Sequence, residues 1–191
     1  MPISPWISVI LALPWLCYFS LGPSPTVLQS LICGASLLMS LVLGKALLAP
    51  SDQQSQVQSI GLAWLLAAAF SSAMALAQYF EVATSLQPWV STSQGDAFAN
   101  LRQRNQFAVL CLIGLVAWFY LCSAMKAGCR VAGMALWVLL LVGNAVSQSR
   151  TGLMGLVVLV LWRGVGWRAN SPRERWQVWG MLPVYGVAAV L

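Results

Sequence analysis

The chain has 191 residues, 60% hydrophobic and 7% charged, with a mean hydropathy of +0.80 and a formal charge of +6. Soluble domains are roughly half apolar and about a quarter charged, so this composition excludes an ordinary soluble domain and reads as a membrane protein. Ten Lys and Arg are too few for the basic stripe of a nucleic-acid binder, and the absence of His excludes imidazole catalysis and His-ligated zinc within the chain.

A membrane-spanning helix needs about 20 apolar residues at 1.5 Å rise each. Seven stretches of that order are predicted: 6–21, 26–48, 59–80, 106–123, 131–147, 151–166 and 176–191. The expected fold class is all-α, a polytopic bundle of about seven spans. Met1 to Pro5 carries no basic residue, so the first stretch is expected to stay as a helix rather than be cleaved as a signal peptide. It contains Pro14, which neighbouring helices in a membrane can accommodate, and Gly22-Pro23-Ser24-Pro25 turns the chain into the second stretch. The polar run Pro50 to Ser59 is predicted to be a loop.

Residues 131–166 would extend ~54 Å as one helix, well beyond a bilayer core of about 30 Å. The polar knot NAVSQSRTG, Asn144 to Gly152, therefore predicts a hairpin of two short helices. Trp176 to Leu191 is apolar to its last residue, and the chain is expected to be the amino-terminal piece of something longer. Cys17, Cys33, Cys111, Cys122 and Cys129 lie in or beside apolar runs without a CxxC pair and read as small buried residues.

Basic residues then set the orientation. With a cytoplasmic amino terminus, the inner side holds Lys45, Lys126, Arg130, Arg163, Arg168, Arg173 and Arg175, and the outer side only Arg102, Arg104 and Arg150. These three exceptions fall in the two most polar knots, GDAFANLRQRNQFA (Gly95 to Ala108) and NAVSQSRTG. The outer acidic residues, Glu81 and Asp96, leave an excess of positive charge there, so an external anion is the expected partner.

Arginine's planar fork suits phosphate and stays charged. Arg150 stands at the predicted start of a helix, flanked by Ser147, Ser149 and Thr151. With Ser149 as N-cap, backbone N–H groups and hydroxyls would converge beside its guanidinium as a phosphate seat. If a helix begins at residue 100, Arg102 and Gln106 share one face, Asn100 and Arg104 another, and Asn105 lies between them, forming a broad polar edge.

For a single interfacial arginine, snorkelling to lipid phosphates is the commoner outcome; three together on the disfavoured side favour a binding site. Trp89, Trp162, Trp167, Trp176, Tyr79 and Tyr120 read as aromatic-belt residues. Gly34, Gly44, Gly128, Gly133, Gly152 and Gly155 read as helix-packing positions, and Glu81 as a solvated helix end rather than a proton carrier.

FANLRQRNQFA, Phe98 to Ala108, resembles the signature of bacterial protein O-oligosaccharyltransferases, the pilin-glycosylating branch of the O-antigen ligase and polymerase superfamily. SQSRTGLMGL, Ser147 to Leu156, is similar to the start of that superfamily's ligase domain, and LPWLCYFSLGPSPTV, Leu13 to Val27, to the first helix and turn of the glycosylation-ligase branch. One departure is Ala99, where the family pattern has Gly.

The resemblance implies two parts, amino-terminal helices over 1–94 and the start of a ligase-like membrane domain over 95–191. It implies a metal-independent, cofactor-free inner-membrane glycosyltransferase. Such an enzyme moves a glycan from undecaprenyl pyrophosphate onto a pilin or lipid A core acceptor at the periplasmic face. Arg102, Arg104, Arg150, Ser149 and Thr151 would hold the pyrophosphate, with Asn100, Asn105, Gln106 and Ser147 in support. The family's base is a His in a later periplasmic loop, so this chain is expected to be inactive alone. An O-antigen polymerase, or a transporter subunit holding an anionic lipid, is the alternative; no convincing repeat of hydropathy favours the transporter.

Overall fold

The computed structural model describes residues 12–13, 15–16, 34–35, 37–38, 53–87, 89–92, 97–101, 103–122, 130–166 and 172–190. These hold five α-helices: α1 Gln53–Tyr79, α2 Arg104–Cys122, α3 Arg130–Val146, α4 Arg150–Gly166 and α5 Pro172–Val190. A short 3-10 helix, Val82–Leu86, follows α1. There is no strand among the described residues, and the protein is all-α. Val57–Tyr79 and Arg104–Cys122 are long and apolar enough to cross a membrane, and Val131–Val146 is a shorter apolar helix. The expected stretches 6–21 and 26–48, including Pro14 and the turn at 22–25, lie almost wholly outside the described residues.

The predicted loop at 50–59 is corrected from Gln53 onward, because α1 already runs through QQSQVQS. Polarity there is not a helix breaker: Gln is a good helix former, and the segment holds no Gly or Pro after Pro50. At the other end of the chain, α5 starts on Pro172, whose missing N–H is harmless in a first turn, with Glu174 favourably placed against the helix dipole. The hairpin expected at NAVSQSRTG is present: α3 and α4, 17 residues each, are joined by residues 147–149.

Small residues set how the helices meet, because they let backbones approach closely. Gly61 faces Leu121, Gly114 faces Ala68 and Leu140, and Gly143 sits on the Ser72 side chain. Those pairings run α1 antiparallel to α2 and α2 antiparallel to α3. Gly152 sits on Ala108 and Asn144, and Gly155 on Leu112, so α4 returns alongside α2. α5 closes the bundle through Trp179 on Gly164, Trp137 near Gly180, and Gln177 donating to the Met134 sulfur at 3.0 Å.

Trp118, Trp137, Leu115, Leu140, Leu156 and Met181 fill the centre. Trp118 also ties α2 to α3, donating from Nε1 to the Gly133 carbonyl at 2.7 Å. Much of the outer face is apolar too: Phe70, Val131, Met154, Val158, Trp162 and Val187 are all exposed. Cys111 is buried and Cys122 half-buried, and neither is in a disulfide; the other three cysteines lie outside the described residues. Among the described residues nothing lies within 4 Å of a Cβ built on Gly34, and Gly44 and Gly128 lie outside them.

Candidate anion site at one end of the bundle

Alternating helix direction gathers the end of α1, the start of α2 and the α3–α4 hairpin at one end. Arg130, Arg163 and Arg175 lie on helix termini at the opposite end. There, Arg163 is buried with its guanidinium 5.3 Å from the centre of the Phe119 ring. The exposed Trp162 and Trp176 lie at that end, the exposed Trp89 lies near the first, and Trp167 is outside the described residues.

The two polar knots meet at a hydrogen bond between residues 44 apart in sequence: the Ser149 hydroxyl donates to Asn105 Oδ1 at 2.8 Å. Ser149 is the N-cap of α4, its oxygen accepting the Gly152 N–H at 3.3 Å. Its own N–H donates to Ser147 Oγ at 3.2 Å, and that hydroxyl donates back to the Asn144 carbonyl at 2.6 Å. A helix start leaves its first backbone donors without intrahelical partners. With those of Ser149 and Gly152 satisfied, the N–H groups of Arg150 and Thr151 remain, on two exposed residues.

Beneath this cap, buried Asn144 donates from Nδ2 to the Gly152 carbonyl at 3.3 Å, while its Oδ1 is buried without a partner. A Cβ on Gly152 would fall on that Asn144 side chain and 3.0 Å from Ala108 Cβ. Gly152 thus serves close packing at the foot of the site.

Arg150 is the first residue of α4 and Arg104 the first of α2; both are exposed, as are Asn105, Gln106 and Thr151. Arg102 and Asp96 lie outside the described residues. The helix expected over 106–123 begins at Arg104, so the condition of a start at residue 100 is not met and Asn100 is not part of a polar helical edge. Asn100 is buried in the preceding turn, where Oδ1 accepts the Ser91 N–H at 3.0 Å. Its Nδ2 donates to the carbonyls of Leu16 and Trp89 at 2.7 and 2.9 Å. With these bonds it braces the turn instead of meeting a ligand.

A residue that sequence reasoning did not single out completes this brace. Gln78, 2% exposed near the end of α1, donates from Nε2 to the carbonyls of Ser91 and Ala99 at 2.8 and 2.7 Å. Its Oε1 accepts the N–H groups of Phe98 and Ala99 at 3.0 and 2.8 Å. All four hydrogen-bonding positions of the amide are used. The available signal was a lone Gln in an otherwise apolar helix end.

Among the described residues, three non-glycine residues carry left-handed backbone at this end: Glu81 with φ 60, Ala99 with φ 55 and Gln148 with φ 50. Ala99 is fully buried. Exposed Gln148 closes α3, donating its N–H to the Ala145 carbonyl at 3.0 Å. The left-handed penalty of ~1–2 kcal/mol exceeds glycine's entropic cost of ~0.5–1 kcal/mol. Gln148→Gly is therefore expected to raise the unfolding free energy by about 0.5–1 kcal/mol, measured by reversible unfolding in mixed micelles.

The resulting surface combines an exposed guanidinium on each of two adjacent helix starts with two backbone donors, a hydroxyl and amides. It can bind and orient an anion with several oxygens. Among the described residues no group of His, Cys, Asp and Glu could hold a metal ion. Comparison with protein-family models, curated proteins and solved structures finds no match to this chain.

Proposed function

We propose that this chain is a multi-pass protein of about seven spans in the bacterial inner membrane, of the O-antigen ligase and protein O-oligosaccharyltransferase type. Its polar end faces the periplasm and holds the pyrophosphate of an undecaprenyl-linked glycan. The observation that carries this reading is the Ser149 to Asn105 bond, which sets Arg150 and Arg104 on neighbouring helix starts. Placement in a bilayer is supported by the two long apolar helices and by the exposed Phe70, Met154, Val158 and Val187, which water would disfavour.

In glycan transfer the leaving pyrophosphate gains charge as the sugar departs, and fixed donors aimed at that charge lower the barrier. Arg150, the N–H groups of Arg150 and Thr151, and the α4 dipole supply such donors. Arg104 and Arg102 would complete the clamp, with Gln106 as a neighbouring donor. The chain has no His, so a histidine base for the acceptor hydroxyl would come from residues other than these.

Undecaprenyl pyrophosphate binding to the chain in phosphatidylcholine nanodiscs tests the seat. A charge-assisted hydrogen bond contributes about 1.5–3 kcal/mol, so Arg150→Ala is expected to weaken binding about 10- to 100-fold. Arg150→Lys should recover only part of this, because an ammonium lacks the planar fork. Unchanged binding by both variants would return Arg150 to lipid snorkelling. In cells supplying a pilin acceptor, transfer by the intact gene product should fall with the same variants.

A further inference from the structure

Gly152, the third residue of α4, is held by both of its backbone groups. Its N–H donates to Ser149 Oγ, and its carbonyl accepts Asn144 Nδ2, each at 3.3 Å. Asn144 stands near the end of α3, fully buried, and forms no part of the exposed surface that carries Arg104 and Arg150. Its main-chain carbonyl accepts the Ser147 hydroxyl, and Ser147 Oγ accepts the Ser149 N–H. One residue therefore anchors the hairpin through its backbone and the first turn of α4 through its side chain. The fit is close, since a Cβ on Gly152 would strike Asn144 Oδ1.

We infer that Asn144 is a positioning residue for the anion site. It does not meet the pyrophosphate, but sets the direction in which the first turn of α4 presents the Arg150 guanidinium and the N–H groups of Arg150 and Thr151. The inference rests on the pyrophosphate reading of that surface. Asn144 Oδ1 separates this role from plain packing: it is buried with no hydrogen-bond partner, an unfavourable state that an apolar side chain of similar size would avoid. What the amide adds is a directional bond to the Gly152 carbonyl, where contact with the Ala108 methyl alone would let α4 slide. A binding site tolerates displacements of only about 0.5 Å in its donors, so such a bond matters at a helix start that serves as one. The other helix start is aimed in the same way. Gln78 near the end of α1 holds the turn before Arg104, as Asn144 near the end of α3 holds the turn that carries Arg150. Each arginine thus follows a segment fixed by a buried amide from the preceding helix.

The test is undecaprenyl pyrophosphate binding to the full chain in phosphatidylcholine nanodiscs, with Asn144→Leu and Asn144→Asp beside wild type. Asn144→Leu fills the space without the donor and should weaken binding about tenfold, the equivalent of one hydrogen bond to the ligand. Hydrogen exchange of the α4 amides from residue 156 onward should stay at the wild-type rate; if it rises, the Asn144→Asp comparison decides alone. As a neutral acid the introduced carboxyl can donate its O–H to the Gly152 carbonyl as Nδ2 does, whereas once ionised it turns only acceptors toward it. Infrared absorption of the protonated carboxyl gives the pH at which that proton leaves. Affinity relative to wild type at the same pH should be near wild type below that point and fall about tenfold above it. The ionisable groups nearest this end of the packed helices are Tyr79 of α1 with Glu81 beyond it, Arg104 and Cys111 of α2, and Arg150 of α4. They are the same in both chains, so the ratio isolates the introduced carboxyl. Wild-type affinity in Asn144→Leu, or affinity in Asn144→Asp that does not follow its proton, would overturn the positioning role. Arg150→Ala in the same assay separates the two readings. Unchanged binding there would remove the pyrophosphate seat, whereas weakened binding there with both Asn144 variants at wild type would remove only the part given to Asn144.

Discussion

Gln78→Leu is expected to release residues 89–92 and 97–101 from the bundle, at a cost of about 4 kcal/mol to those segments. Leucine fills similar space but leaves the carbonyls of Ser91 and Ala99 and the N–H groups of Phe98 and Ala99 without the partners they have now. Each buried group so abandoned costs ~1–3 kcal/mol, and local relaxation recovers part of the sum. The helices have their own core, so the loss should appear as local opening. Hydrogen exchange at the amides of residues 98 and 99 is the measurement, with protection expected to fall at least 100-fold while that of α3 and α4 stays near wild type. Gln78→Glu keeps the acceptor for both N–H groups but turns an oxygen toward two carbonyls, and should open the segment as well. Unchanged protection in both variants would show that the turn is held without the amide. Because Leu101 and Phe98 form the last turn before α2, the same opening should loosen the position of Arg104.

The second large effect is expected at the crossing of the first three helices. A Cβ on Gly114 would lie 2.5 Å from Ala68 Cβ and 3.3 Å from a Leu140 methyl. Leu140 can turn aside, but Ala68 Cβ is fixed to the α1 backbone, so α1 and α2 must separate. Overpacking of this kind costs ~1–3 kcal/mol, and a contact between two backbone-fixed carbons belongs at the upper end. Gly114→Ala should therefore lower the unfolding free energy by about 3 kcal/mol in mixed micelles, and Ala68→Gly in the same chain should recover much of it. Gly186→Ala, in open space on α5, is the control of opposite sign: with no neighbour within 4 Å it should stabilise by about 0.5–1 kcal/mol through helix propensity alone. Equal effects at the two glycines would remove the crossing as the cause.

These two sites mark where sequence reasoning works and where it stops. The helices at 104–122, 130–146 and 150–166 follow their apolar runs to within two residues, because length and hydropathy are local properties. The hairpin was legible for the same reason, since one continuous helix would outrun a bilayer. The start of α1 was not, because the Gln-rich segment is polar without being helix-breaking.

Asn100 was misplaced for a different reason. It was placed on a helix face only on the condition that a helix begins at residue 100, whereas the side chain's partners are backbone groups of Leu16, Trp89 and Ser91, which no spacing rule connects to it. Gln78 escaped notice likewise, its four partners lying 13 to 21 residues away. Within the candidate site, Ser149 was readable as an N-cap from its place before an apolar run, while its bond to Asn105 is a tertiary fact.

The antiparallel packing that brings two helix starts to the site has an electrical side. The starts of α2 and α4 each bring roughly half a positive charge, but the ends of α1 and α3 at the same end of the bundle bring as much of the opposite sign. The main-chain dipoles therefore largely cancel at a distance, and the electropositive character of that end is carried by its arginines and by the few backbone donors beside them.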